Sequence, residues 1–133
     1  RFGLVTQGSN RIYRQRESIQ MPEPSRTELF LTVEADALLV VAPDPVTPFQ
    51  NSIYRQDQHI KIDPDASICV VDWFSSGRFA NGERWEQERL VNRTELSFSD
   101  DKRPFLIDSF CLDPSSSSSL AGSKGNANSS WGM

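Results

Sequence analysis

Two aspartates stand where a carboxylate is costly. Asp72 closes the β-branched run Ile68 to Val71, and Asp108 interrupts the apolar run Phe105-Leu106-Ile107-Asp108-Ser109-Phe110. Taking a lone carboxylate out of water is expensive, so such a group must pair, stay wet or carry function. For Asp72 the plain reading is a turn former or a partner for Arg78. For Asp108 it is an outward-facing strand position. As a pair they could also act on a glycosidic bond, which needs carboxyl groups about 5–5.5 or 6.5–9.5 Å apart in a sugar-sized cleft. His59, the single histidine, precedes Ile60 at a strand start and reads as a surface or capping residue before it reads as a metal ligand. Cys69 and Cys111 lie in apolar stretches, where a free thiol behaves as a small hydrophobe, and are expected in the core. There is no Gly-x-Ser-x-Gly, no histidine dyad and no phosphate loop.

Composition narrows the function classes. The 133 residues carry 14 Lys and Arg against 18 Asp and Glu, a formal net charge of −4. That balance argues against a phosphate-backbone binder, which needs a basic surface to release counterions. No apolar run approaches the roughly 20 residues of a membrane helix, and no charged-then-apolar leader is present. Two cysteines and one histidine cannot close a four-ligand zinc site without carboxylates, nor do they make a disulfide framework. The expectation is therefore a chain that is neither secreted nor inserted in a membrane and holds no structural zinc.

The body that must position these residues reads as short strands. Leu31-Thr32-Val33-Glu34-Ala35-Asp36-Ala37-Leu38-Leu39-Val40-Val41 and Ile60-Lys61-Ile62-Asp63-Pro64-Asp65-Ala66-Ser67-Ile68-Cys69-Val70-Val71 share one pattern. Each is a strand, a turn around an Asp-Ala pair, and a second strand. Alternation puts Leu31 and Val33 on one face, and Ile60 and Ile62 likewise. Pro64 presets a turn, and Asp65 is expected to bond its own backbone there. Further strand candidates are Phe2–Thr6, Arg11–Gln20, Phe49–Gln56, Glu86–Leu90, Thr94–Ser99 and Phe105–Leu112. Pro43, Pro45 and Pro48 are expected to forbid a central strand between them. No sustained 3.6-residue period appears, so helix should be scarce. The predicted fold is mainly β, either a β-helix-like stack of strand–turn–strand units or a layered antiparallel sheet.

Domain organisation follows from the ends. The opening residues already alternate and are expected to lie inside a longer protein. Residues 113–133, with five consecutive serines from Ser115 to Ser119, cannot bury enough apolar surface to offset an ordering cost of about 1–2 kcal/mol per residue. They are predicted to be a disordered tail, leaving 1–112 as the β domain.

Several stretches in register resemble one family. Asp72-Trp73-Phe74-Ser75-Ser76-Gly77-Arg78-Phe79-Ala80-Asn81-Gly82-Glu83 is similar to the Asp, short apolar run, Gly-Arg, Gly-Glu segment of the urease accessory protein UreD (UreH) family. Leu90-Val91-Asn92-Arg93-Thr94-Glu95-Leu96 resembles its Leu-x-x-Arg-x-Glu-apolar strand. Thr6-Gln7-Gly8-Ser9-Asn10-Arg11-Ile12-Tyr13-Arg14 and the stretch from Leu38 to Phe49 match in the expected order. The resemblance covers about residues 4–112, the middle of the family pattern.

It implies a cytoplasmic, non-enzymatic scaffold that docks on UreF and apo-urease, with the GTPase UreG bound through UreF. It implies no tightly bound cofactor, only transient Ni2+ moving through a wet internal passage, and no nucleic-acid or membrane partner. Carried over by position, Asp72 and Asp108 match acidic residues of that passage, and Asn10 falls at a small polar position there. Carboxylate oxygen suits transit, since nitrogen and sulfur hold Ni2+ more tightly. For partner docking the candidates are Arg78, Phe79 and Trp85, because aromatics and arginine anchor interfaces. A generic β-repeat interaction module is the bland alternative, and it places both aspartates toward solvent.

Overall fold

The computed structural model describes residues 8–14 and 23–114. Among these the chain is mainly β: β1 Asn10–Ile12, β2 Ser25–Val33, β3 Leu38–Val41, β4 Val46–Pro48, β5 Ile53–Ile62, β6 Ser67–Val70, β7 Arg89–Phe98 and β8 Leu106–Leu112. Phe79–Asn81 forms a 3-10 turn. The candidate strand Phe2–Thr6, the second half of Arg11–Gln20 and the serine-rich residues 115–133 lie outside what is described.

Pairing is parallel almost throughout. β1 pairs with β4, β3 with β6, and β2, β5 and β7 run side by side, with β8 closing that four-stranded sheet antiparallel. The two segments of shared pattern lie against each other in register: Leu31 opposes Ile60, Val33 opposes Ile62, and Leu38 opposes Ser67. Their turns stack as well, through Asp63 N–H to Val33 O at 2.9 Å and Ser67 N–H to Ala37 O at 2.8 Å. In the second turn Asp63, not Asp65, supplies the local side-chain acceptor, taking the Asp65 N–H at 3.0 Å.

Three other expectations need correction. β4 exists between the prolines, pairing with β1 and bridging to Phe74 through Val46. It is tolerated because the donors it needs come from Val46, to Trp73 O at 3.1 Å, and Phe49, to Ile12 O at 2.9 Å, so neither Pro45 nor Pro48 must donate. Cys69 and Cys111 are exposed free thiols rather than core residues. Cys69 alternates with the inward Ile68 and Val70, and Cys111 sits on the edge strand β8. Finally, β5 and β7 are continuous ten-residue strands, where the sequence pattern breaks each in two.

That continuity organises the interior. Near the start of the strands, Ile12, Val46, Tyr54 and Leu90 form one apolar cluster, with Phe74 and Phe110 packed on it. Toward their ends, Val33, Ile60 and Ile62 form another, flanked by Leu31, Leu39, Ile68 and Leu96 among others. Burying a Leu90-sized side chain contributes about 1.5–3 kcal/mol. Between the clusters, the inward positions of β5 and β7 are polar: Gln56, Gln58, Asn92 and Thr94, all buried. Parallel register places Gln56 beside Asn92 and Gln58 beside Thr94.

Candidate functional site

Asp72 enters this polar layer from the segment after β6. The backbone on either side of it is pinned, by Val71 N–H to Val41 O at 2.8 Å and by Val46 N–H to Trp73 O at 3.1 Å. The Trp73 indole adds a hydrogen bond to Pro43 O at 2.6 Å. Held so, the half-buried carboxylate receives four side-chain donors. Gln58 Nε2 reaches Oδ2 at 2.6 Å, Asn92 Nδ2 reaches it at 3.3 Å and the Thr94 hydroxyl at 3.4 Å, while Gln56 Nε2 reaches Oδ1 at 3.2 Å. Gln58 Nε2 also lies 3.3 Å from Thr94 Oγ1, which ties the two strands together. Asp72 forms no ion pair with another described residue. Its negative charge is met by neutral dipoles alone.

The layer extends to either side. Tyr54 donates its hydroxyl to Gln56 Oε1 at 3.1 Å. Burial pushes the Tyr54 phenol pKa up, hydrogen bonding from Thr27 pulls it back, the charge of Asp72 raises it further, and Asn10 lowers it least, for a net rise. Asn10 thus touches the layer through Tyr54, although its own residue is exposed at the surface. On the other side, Asp108 of β8 lies directly opposite Thr94. Opposed residues of an antiparallel pair project from the same face, so Asp108 shares the face of the layer but is exposed at the sheet edge. Asn92 Oδ1 and two oxygens elsewhere are buried without a hydrogen-bond partner. Leaving such an acceptor unmet costs about 1–3 kcal/mol.

His59 faces the other way. It stacks on Phe30 with ring centroids 5.0 Å apart, and its Nδ1 lies 3.1 Å from Glu95 Oε2. The same outer face carries Arg26 and Arg55 closing over Asp57, at 3.1 and 2.7 Å. Hydrogen bonding from Arg55, with the charges of Arg55 and Arg26, holds the Asp57 carboxyl below its ordinary range despite burial. Among the described residues no group of three or more His, Cys, Asp or Glu side chains could hold a metal ion. His59 is committed to Phe30 and Glu95.

The Gly-Arg and Gly-Glu pairs form a brace. Glu83 is buried, and Arg78 grips it with its side chain, both Nε at 2.8 Å and a second nitrogen, while the backbone N–H groups of Arg78 and Gln50 donate to Oε2 at 3.2 Å each. The Arg78 guanidinium also lies 4.6 Å from the Phe49 ring centre. Gly77 makes the turn possible: its φ is +96°, and a Cβ there would come within 3.1 Å of Pro48 O and 3.3 Å of Glu83. Of the three docking candidates, Arg78 is engaged in this brace. Phe79, under the Arg84 guanidinium at 4.8 Å, and Trp85 present exposed rings.

A groove of about 760 Å3 opens by Arg55, Trp85, Gln87, Arg89 and Val91. Neither Asp72 nor Asp108 lines it. Asp72 sits in the polar layer beside four donors, and Asp108 stands exposed on an edge strand. That is not the arrangement of a glycosidase pair across a cleft.

A family model described as UreD urease accessory protein matches residues 1–131. The chain belongs to the UreD family. Among individual UreD relatives, a urease accessory protein UreD of Sorangium cellulosum is 42% identical over 111 residues, covering 84% of this chain and 33% of the relative. Urease accessory protein D of Oryza sativa subsp. indica and of Arabidopsis thaliana are each 36% identical over 118 residues, 89% of this chain, covering 37% and 38% of those proteins. The chain therefore spans little more than a third of the UreD relatives it matches. These relatives are named as urease accessory proteins. No helix among the described residues is long and apolar enough to cross a membrane.

The sequence pattern singled out Asp72 and Asp108, and the family resemblance added Asn10, but neither named Tyr54, Gln56, Gln58, Asn92 or Thr94. No period-two signal marks them, because Arg55 to His59 and Asn92 to Glu95 are polar at consecutive positions.

Proposed function

We propose that the chain forms part of a urease maturation scaffold that lets Ni2+ pass toward apo-urease, working in the cytoplasm with UreF and, through UreF, with UreG. The observation that carries the reading is the polar layer centred on Asp72 between two apolar clusters, in a chain of the UreD family. In this reading the parallel pairs β1–β4, β2–β5 and β3–β6 are successive turns of a β-helix-like coil, and the layer is part of its interior.

Ni2+ is the cargo and not a resident cofactor. Asp72 offers one carboxylate with no nitrogen or sulfur ligand beside it, which admits a divalent ion without trapping it. Asp108 and Asn10, both exposed, would be where an arriving or departing ion meets water. The exposed Phe79 and Trp85 are the surface through which a partner would dock.

Co-purification tests the scaffold reading. The full chain, shown to be folded by its far-UV spectrum and cooperative melting, is expected to capture UreF or apo-urease. A well-folded chain that retains neither contradicts it.

A further inference from the structure

The wall of the groove beside Arg55 and Arg89 holds a residue that its backbone does not favour. Trp85 has a φ of +56° and a side chain that is 44% exposed. A bulky residue in the left-handed region is strained, and glycine, asparagine or aspartate sits there at lower cost. The other non-glycine residues with positive φ among those described are Asn51 and Asp36, both of the tolerant types. The turn is pinned by the Trp85 N–H to Ser76 O at 2.9 Å, a bond that any residue but proline could make. The indole is left unused within the chain. No described residue takes its N–H or stacks on its ring, whereas the Trp73 indole is tied to Pro43 O. Backbone strain that brings the fold no contact is a mark of function.

The rest of the groove shows what that ring meets. A volume of about 760 Å3 is within the usual range of binding clefts, and Pro24, Ile53 and Val91 give apolar walls. Of its charged residues, Arg55 is answered by Asp57, and Asp113 has a partner of its own. Glu86, Glu88 and Arg89 enter no ion pair with a described residue, which leaves two carboxylates against one guanidinium. In a chain of net charge −4, that excess selects a basic partner over an acidic one. We propose that the strained turn presents Trp85 to seat an extended, basic segment of a partner protein in this groove, the indole packing an apolar side chain while Glu86 and Glu88 pair with a basic residue beside it. This rests on the scaffold reading above and gives it a docking site and the chemistry of the docked segment. An aromatic anchor in a pocket, ringed by weaker polar contacts, is the arrangement that carries most of the energy of a protein interface.

The test measures melting temperature, oligomeric state and binding to UreF and to apo-urease for the full 133-residue chain and three variants. Trp85→Asn, which suits the left-handed turn, should melt no lower than the parent and bind at least about tenfold more weakly. Trp85→Phe, which keeps a ring at the same strained position, should retain most of the binding. Glu86→Gln combined with Glu88→Gln should weaken binding and reduce its dependence on salt. Binding by Trp85→Asn equal to that of the parent overturns the groove and leaves the scaffold standing. A Trp85→Asn chain that melts well below the parent also overturns it, because the ring is then part of the fold. Unchanged or tighter binding by the double glutamine variant overturns the basic segment. A parent dimer that Trp85→Asn dissociates gives the groove to a second copy of the chain and overturns this occupant. A folded parent that binds neither protein contradicts the scaffold reading and this inference with it.

Discussion

Glu83 shows how much one side chain fixes. Hydrogen bonding from the Arg78 guanidinium, then from the Arg78 and Gln50 backbone, holds its pKa at about 2 against an ordinary 4.5, with burial opposing. A carboxyl whose folded pKa is depressed contributes stability in full above its unfolded value and loses it as pH falls toward the folded one. The brace should therefore be intact above about pH 4.5 and fail progressively toward pH 2. Asp57 and Glu95, also held low chiefly by Arg55 and Arg93, act in the same direction. Melting temperature measured from pH 6 down to pH 2 should fall, and Glu83→Gln should start lower and fall less steeply. A parallel decline in both proteins would show that Glu83 contributes nothing to acid sensitivity. The sequence made the Gly77-Arg78 and Gly82-Glu83 pairs visible, and the uses read for Arg78 were pairing with Asp72 or docking. Only the fold reveals that Glu83 is its partner, because the loop closes on Gln50 from a distant part of the chain.

At the scale of elements, the legible parts were those whose apolar residues alternate. The paired segments around Leu31 and Ile60, the edge strand β8 and the scarcity of helix could all be read from period-two patterning. β5 and β7 could not be read whole. Gln56, Asp57, Gln58 and His59 in one, and Asn92, Arg93 and Thr94 in the other, are polar on both faces and look like loops. Inside, they make the Asp72 layer; outside, they make the pairs Arg55–Asp57 and Arg93–Glu95. The site was hidden by the same residues that build it. The thiols were misjudged for a related reason: an apolar neighbourhood along the chain does not decide which face a residue takes. These assignments separate cleanly by mutation. Leu90→Ala, at a position with no exposed surface, should cost about 2–5 kcal/mol of unfolding free energy in urea titration. Cys69→Ala, on an exposed position, should stay within about 0.5 kcal/mol of the parent. Equal costs would mean that β6 and β7 face the interior differently from the arrangement described.

The described residues form a four-stranded sheet and two parallel strand pairs, and their apolar clusters leave a polar band between them. A chain selected only to pack would fill that band with leucine and valine, since each buried amide and the carboxylate must be fully satisfied to be tolerated. Four donors on Asp72 meet most of that demand, and the unmet oxygen of Asn92 is the remainder. The proposed ion passage would account for such a band, and the exposed Phe79 and Trp85 offer surface for the proposed partner. The most direct measurement is the nickel content of urease, by atomic absorption, after apo-urease is incubated with UreF, UreG, GTP, Ni2+ and this chain. The chain should raise nickel per urease, and a folded Asp72→Asn variant should not. Equal loading by the parent and the variant would contradict the claim that Asp72 guides the ion.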